Sequence, residues 1–188
     1  VDDIDVLRGL EGEAAASYFS VFNFLILNSD NTFSFNGRNK RPPKDPVNAM
    51  LSFVYTLLAS EVQSALETVG LDPYVGFLHT LRPGRASLAL DLMEELRAYM
   101  GDRLVLSIIN RKQISAKDFV FQDSDNILMT DKTKKEILNS WQKRKQDIIT
   151  HPYLNEQIPI GLLPYTQALL LARYLRGDLD NYPVFISK

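Results

Sequence analysis

The stretch from Asp45 to Gly70, DPVNAMLSFVYTLLASEVQSALETVG, limits the fold of this chain more than any other. Asp45 is a strong N-cap, and Pro46 suits the first helical position, where its missing N–H costs nothing. Gly70 supplies the stop. No charged residue occurs between Pro46 and Ser60. A helix without charge over its first turns has no face suited to water, so it belongs at the centre of a helical core. Asn48, Ser52 and Tyr55 or Thr56 make one narrow polar stripe along it, which reads as hydrogen bonding inside that core.

Two more charge-free runs, Ala14 to Ser29 and Gln157 to Ala172, are broken by polar residues or proline and are shorter than a bilayer span. They also read as buried helices, and no membrane segment is expected. The 188 residues suffice for one domain with a real core, and 45% hydrophobic with 23% charged residues is ordinary for a soluble globular protein. A net charge of −2 excludes a global basic field, so any nucleic acid must be held by local patches. The absence of cysteine removes disulfides, thiolate catalysis and Cys-based metal centres, and fits a reducing compartment. The opening VDDIDV lacks the basic region of a signal peptide. A chain that starts without Met, directly at a helix, reads as a fragment of a longer polypeptide.

Further helices are expected from the aspartates near the N-terminus to about Leu27, from a Ser87 cap to Met100, and from Arg103 to Asn110 after a break at Gly101. Two more run from Thr130 or Asp131 to about Ile149, and from Gly161 to Arg176. Ser115 to Asp118 resembles a capping box with Asp in place of Glu. The run DFVFQDSDNILMT reads as a hairpin turning near Asp123 to Asn126. The fold class is all-α: a compact multi-helix domain, residues 1–188, with one small β-hairpin.

Three features carry candidate chemistry. Leu7, Glu11, Ala14, Tyr18 and Phe22 share one stripe of the first helix, so Glu11 is expected on a buried face, where a carboxylate loses hydration unless compensated. Gly9 and Gly12, each costing about 1 kcal/mol relative to Ala, clear the space on either side of it. His79 ends a short apolar segment. Asp91, Glu94 and Glu95 form an acidic face on the helix that follows. Separately, these read as a salt bridge, a structural histidine and a solvated face. Jointly they suit a hard divalent cation, with the imidazole shifting preference toward Mn²⁺. Arg82 and Arg85 after His79, and the loop carrying Arg38, Lys40, Arg41 and Lys44, suit an anionic substrate such as a phosphodiester. No HExxH or P-loop spacing is present.

LRGLEGEAA around Glu11, RPPKDPVNAMLSFVYTLL from Arg41, DPYVGFLHTLRPGRASLALDLMEELR from Asp72, LSIINR and the closing QALLLARYLRGDLDNYPVF together resemble the CRISPR adaptation integrase, the first CRISPR-associated (Cas) protein, in the version found in type I systems. The resemblance spans nearly the whole chain. It implies a helical C-terminal catalytic domain that binds Mn²⁺ or Mg²⁺ through Glu11, His79 and Glu94. Glu94 stands where many relatives have Asp. Asp91 matches a further acid counted with the site, and Asn48 a supporting asparagine. The resemblance implies that residues 1–188 are the catalytic domain, and the family's N-terminal β-rich domain, which forms much of its homodimer, is expected to lie outside them.

The resemblance also implies a prokaryotic, cytoplasmic enzyme. It would act on double-stranded and branched DNA with the second Cas adaptation protein, joining short fragments into a CRISPR array. Arg38, Arg41, Lys44, Arg82 and Arg85 are the candidate phosphate contacts. Two other readings stand beside it: a non-catalytic helical module that binds DNA or protein, and a metal-dependent phosphodiesterase for RNA or small nucleotides.

Overall fold

The computed structural model describes residues 3–39, 42–122 and 126–187. Helices dominate it, in the order α1 (Ile4–Val21), α2 (Pro46–Thr68), α3 (Ser87–Leu96), α4 (Arg103–Asn110), α5 (Asp131–Arg144) and α6 (Leu163–Leu175). Two antiparallel ladders accompany them: β1 (Phe119–Phe121) with β2 (Ile127–Met129), and β3 (Ile148–Thr150) with β4 (Gln157–Pro159). The chain divides into two compact units, Val1–Val54 with Arg103–Ser140, and Tyr55–Asp102 with Trp141–Lys188.

In the first unit Phe19, Phe22, Phe33 and Phe35 are buried, and the Phe22 and Phe35 rings lie 5.0 Å apart. The first half of α2 gives Val47, Met50, Leu51 and Val54 to the interior; α4 gives Leu104, Val105, Ile108 and Ile109. The segment after α1 is tied to the end of α4 by side-chain amides. Asn110 Oδ1 accepts from the Leu27 N–H at 2.7 Å, and Asn28 Nδ2 donates to the Ile109 carbonyl at 3.1 Å. The capping box is present: Asp118 accepts from the Ser115 N–H at 2.8 Å and from its hydroxyl at 3.0 Å. Burial opposes ionisation of Asp118, but these two bonds and the charge of Lys132 prevail and hold its carboxyl below the usual range. The hairpin pairs Phe119 with Met129 and Phe121 with Ile127. Most of its expected turn, Asp123 to Asp125, lies outside the described residues.

In the second unit Leu58, Val62 and Leu66 of α2 are buried, as are Leu88, Leu92 and Leu96 of α3 and Leu163, Ala168 and Leu171 of α6. By length and composition α2 could cross a bilayer, but its apolar residues face the protein interior, as in a core helix.

Four expectations change. The first helix is α only to Val21 and tightens into a 3₁₀ turn at Phe22–Leu25. The helical path does not break at Gly101; Arg97–Asp102 is a π-helical segment running directly into α4. Ser87 is the first residue of α3, not its cap. Pro73 fills that role, its carbonyl accepting from the Leu88 and Ala89 N–H groups at 2.9 and 3.2 Å. Finally, α5 stops at Arg144. The β-branched run Ile148, Ile149, Thr150 pairs with Gln157–Pro159 instead, a second ladder that the helix-period reading missed.

Candidate metal and phosphodiester site

The loop between α2 and α3 is fastened to α3 by one carboxylate. Asp91 Oδ2 accepts the N–H groups of Phe77 and Leu78 at 2.6 and 3.0 Å. Asp91 Oδ1 accepts the His79 N–H at 2.9 Å and faces His79 Nδ1 at 2.6 Å. The fastening needs Gly76. A Cβ there would lie 2.7 Å from Ser87 Cβ and 2.8 Å from Asp91 Oδ2. Since a carboxylate only accepts, Nδ1 carries a proton, and in the neutral imidazole the lone pair is then on Nε2. A histidine whose distal N–H is held by a carboxylate is the arrangement in which imidazole best serves as a metal ligand.

Glu94 follows Asp91 by one turn of α3, and its Oε1 pairs with Arg97 Nη1 at 2.7 Å. Both side chains are mostly shielded, Arg97 at 21% and Glu94 at 24% exposed. The Arg97 guanidinium also lies over the Tyr55 ring, 5.4 Å from its centroid, and the Tyr55 hydroxyl donates to Asp102 at 2.5 Å. Glu95 points elsewhere. Its carboxylate receives Tyr182 Oη–H, Gln167 Nε2–H at 3.0 Å and the Phe185 N–H at 2.6 Å. Desolvation raises the Glu95 pKa, and those same bonds from Tyr182, Phe185 and Gln167 partly offset the rise. Burial and the neighbouring Glu95 charge push the Tyr182 phenol upward. Gln167 Oε1 faces His151 Nε2 at 2.9 Å, while His151 Nδ1 accepts from the Tyr153 and Leu154 N–H groups. The expected solvated acidic face is therefore three half-buried carboxylates with three tasks: fastening the loop, pairing with Arg97, and anchoring the C-terminal segment.

Glu11 belongs to the first unit. The stripe proposed for it is not buried along its length: Leu7 and Ala14 are exposed, Glu11 and Tyr18 half-buried, and Phe22 buried. Only the last turns of α1 enter the core; Ile4, Val6, Leu7 and Leu10 all face outward. The hydration argument for Glu11 is correspondingly weaker. The clearance left by Gly9 and Gly12 is real, since no atom lies within 4 Å of a Cβ built at either. Among the described residues, no three His, Asp or Glu side chains gather as a metal site.

The candidate phosphate contacts fall into two kinds. Arg38 donates to Asn48 Oδ1 at 2.6 Å, to Ser52 Oγ at 3.0 Å and to the Asn39 carbonyl. Asn48 is fully buried and also donates to Gly37 O and Asp45 Oδ2, so this stripe organises the loop before α2, as expected of core polar residues. Arg85 donates to the Thr80 carbonyl and to Thr80 Oγ1 at 2.8 Å, bracing the loop beyond His79. Lys44 and Arg82 are exposed. Arg41 lies outside the described residues, as does Lys40.

Tyr55, Arg97 and Gly76 were not singled out as site residues by the sequence. A π-helical segment, of the kind that often marks functional positions, begins at Arg97 but leaves no periodicity to read. Arg97 could have been found as the i+3 partner of Glu94.

The class of protein that the geometry defines is a mostly helical domain with a histidine oriented by one carboxylate of a helix that carries a second acid one turn further on. The sequence profile of the family described as CRISPR associated protein Cas1 matches residues 1–143. The chain is 58% identical over 187 residues to "CRISPR-associated endonuclease Cas1 2" of Rhodospirillum rubrum, covering 100% of this chain and 54% of that protein. It is 55% identical to "CRISPR-associated endonuclease Cas1 1" of Chlorobaculum tepidum, covering 98% and 54%. The fold matches a "Casposase bound to integration product" with TM-score 0.87 and 26% identity, over 99% of this chain and 53% of that one. It matches a CAS1 protein from Thermotoga maritima with TM-score 0.83 and 30% identity, over 95% and 55%. The chain belongs to the Cas1 family. It spans about half the length of these curated relatives.

Proposed function

We propose that this chain carries the catalytic centre of a metal-dependent DNA endonuclease and integrase that inserts short DNA fragments into a CRISPR array. The observation that carries the reading is the Asp91–His79 contact of 2.6 Å, which supports an imidazole tautomer whose Nε2 is available to a ligand-seeking cation. The names of the relatives, endonucleases of the same family, support the reaction class. The casposase on its integration product supports joining as well as cutting.

A hard divalent cation takes carboxylates and a neutral imidazole: Glu94 and His79 would supply two such donors, and the family resemblance names Glu11 as the third. A bound Mn²⁺ or Mg²⁺ supplies Lewis-acid polarisation of a phosphoryl oxygen. Asp91 orients His79 and touches no substrate in this scheme; it is a positioning residue. Arg97 compensates the Glu94 carboxylate and would have to give it up for Glu94 to hold a cation. Arg82 and Lys44 neutralise backbone phosphates and hold the strand in register, without selecting sequence. Arg38 and Arg85 act indirectly, by shaping the loops. The reaction is attack of a 3′-hydroxyl on a backbone phosphate, with the 3′-oxygen of the target strand leaving. Double-stranded and branched DNA, the second Cas adaptation protein and a second copy of the subunit are the partners that accompany this reading. A structural match named "Cas6-RT-Cas1--Cas2 complex" supports the second of these.

The test is strand cleavage and transfer on branched DNA in Mn²⁺, with linear duplex and RNA as comparators. Glu11→Gln, His79→Ala and Glu94→Gln each abolish activity while circular dichroism is unchanged. Full activity in all three variants, or unfolding of Glu11→Gln with no activity in the parent, favours a non-catalytic helical module.

A further inference from the structure

Outside the metal centre, the loop between α2 and α3 displays an unusual surface. Tyr74, Val75, Phe77 and Leu81 are 45%, 58%, 60% and 67% exposed. The backbone under them is held at Tyr74, Phe77, Leu78, His79 and Thr80. The Tyr74 N–H donates to Asp72 Oδ1 at 2.9 Å, the Pro73 carbonyl caps α3, Gly76 lies tight against Ser87, and the amides of Phe77, Leu78 and His79 all end on Asp91. Beyond His79, Arg85 and the Ser87 hydroxyl both hold Thr80. The Phe77 ring is thus presented to solvent from a fixed mount, with little ordering entropy left to lose on binding.

From these facts, and resting on the reading of His79 as a site residue, we propose that Phe77 is a stacking platform for an unpaired DNA base next to the reacting phosphate. Phe77 lies two residues from His79, about 7 Å of chain at most. A phosphate lying beside this part of the loop, whether or not the imidazole itself holds it, has its neighbouring base within reach of the ring. Inside a duplex both faces of a base are already stacked, so an exposed phenyl ring selects a terminal, flipped or single-stranded base, and does so with little regard to sequence. The exposed cation Arg82, three residues beyond His79, favours a polyanionic strand over an apolar protein partner. The ring thereby distinguishes a frayed or branched end from continuous duplex.

The experiment uses the chain with a duplex carrying 2-aminopurine at an unpaired 3′ end, and the same duplex with a blunt end, in EDTA so that no chemistry occurs. Binding of the parent quenches the unpaired fluorophore. Phe77→Ala loses the quench and binds the frayed end about ten-fold more weakly, with blunt-end binding unchanged; Phe77→Trp retains both. Melting curves of the variants stay with the parent, since the ring is exposed. His79→Ala, which tests the catalytic reading, loses strand transfer but keeps the quench, so the two ideas fail separately. Equal quenching by parent and Phe77→Ala overturns the proposal. So does an equal loss of binding on frayed and blunt ends, or a Phe77→Ala change confined to self-association in sedimentation. A parent that binds neither DNA removes the nucleic-acid reading and this inference with it.

Discussion

Asp91 receives three successive backbone N–H groups and the Nδ1 of His79, so a single carboxylate sets both the path of the loop and the tautomer of the imidazole. Asp91→Asn tests that dual role. An amide in its place has one accepting oxygen and directs two N–H donors at groups that are themselves donors. The expected result is a loss of about 2–4 kcal/mol of stability together with loss of Mn²⁺-dependent strand transfer. Urea denaturation read beside the transfer assay gives both quantities; a fully active, fully stable Asn variant contradicts the assignment.

Gly76 is fixed by contact, not by backbone angle. A Cβ added there would sit 2.7 Å from Ser87 Cβ, closer than two carbons approach. Gly76→Ala should push the loop away from α3 at a cost of about 1–3 kcal/mol. His79 then moves off Asp91, which is seen as a change in the imidazole ¹⁵N shifts. Unaltered shifts would show that the loop yields without moving the histidine.

On the proposed reading, Arg97 and a cation compete for Glu94. Arg97→Met removes the 2.7 Å ion pair, whose worth is about 1 kcal/mol in this partly shielded setting. Mn²⁺ affinity, measured by calorimetry, should rise by about five-fold. A fall in affinity would mean that Arg97 chiefly supports the position of Glu94.

Arg82 is exposed and assigned to phosphate. Arg82→Ala should weaken duplex binding by a similar factor for every sequence, and reduce the slope of log K against log salt by about 1. Arg85→Ala should instead disturb the loop, since its guanidinium is held by Thr80. A salt slope unchanged in Arg82→Ala removes that residue from the interface.

Glu95 predicts a pH effect on stability. Burial raises its folded pKa above the ordinary value of 4.5, so between those two values the folded state binds more protons than the unfolded one. Its contribution is complete below about pH 4.5 and is lost as pH rises through the raised value. Glu95→Gln removes this dependence. The difference in Tm between parent and variant, followed upward from pH 4.5, should therefore change in favour of Glu95→Gln. A constant difference would show that the carboxylate titrates normally.

Local information in the sequence was enough for α2. Its cap, its charge-free run and its glycine stop are contiguous signals, and helix propagation follows from such signals alone. The capping box at Ser115 and the existence of the hairpin after it were legible for the same reason; its register, Phe119 with Met129, was not. The candidate residues Glu11, His79, Asp91 and Glu94 were named through family resemblance and residue chemistry. What became of them was decided by tertiary structure. No periodicity could tell that Asp91 folds back on the loop, or that Glu95 anchors Tyr182 and Phe185 across a separation of about ninety residues. The exposure of Leu7 and Ala14 likewise depends on what packs against α1, which a helical wheel does not contain. Sequence set the elements and the inventory of chemical groups, because propensity and capping act over a few residues. Only the folded chain assigned each carboxylate its partner, because a hydrogen bond depends on distance in space and not along the chain.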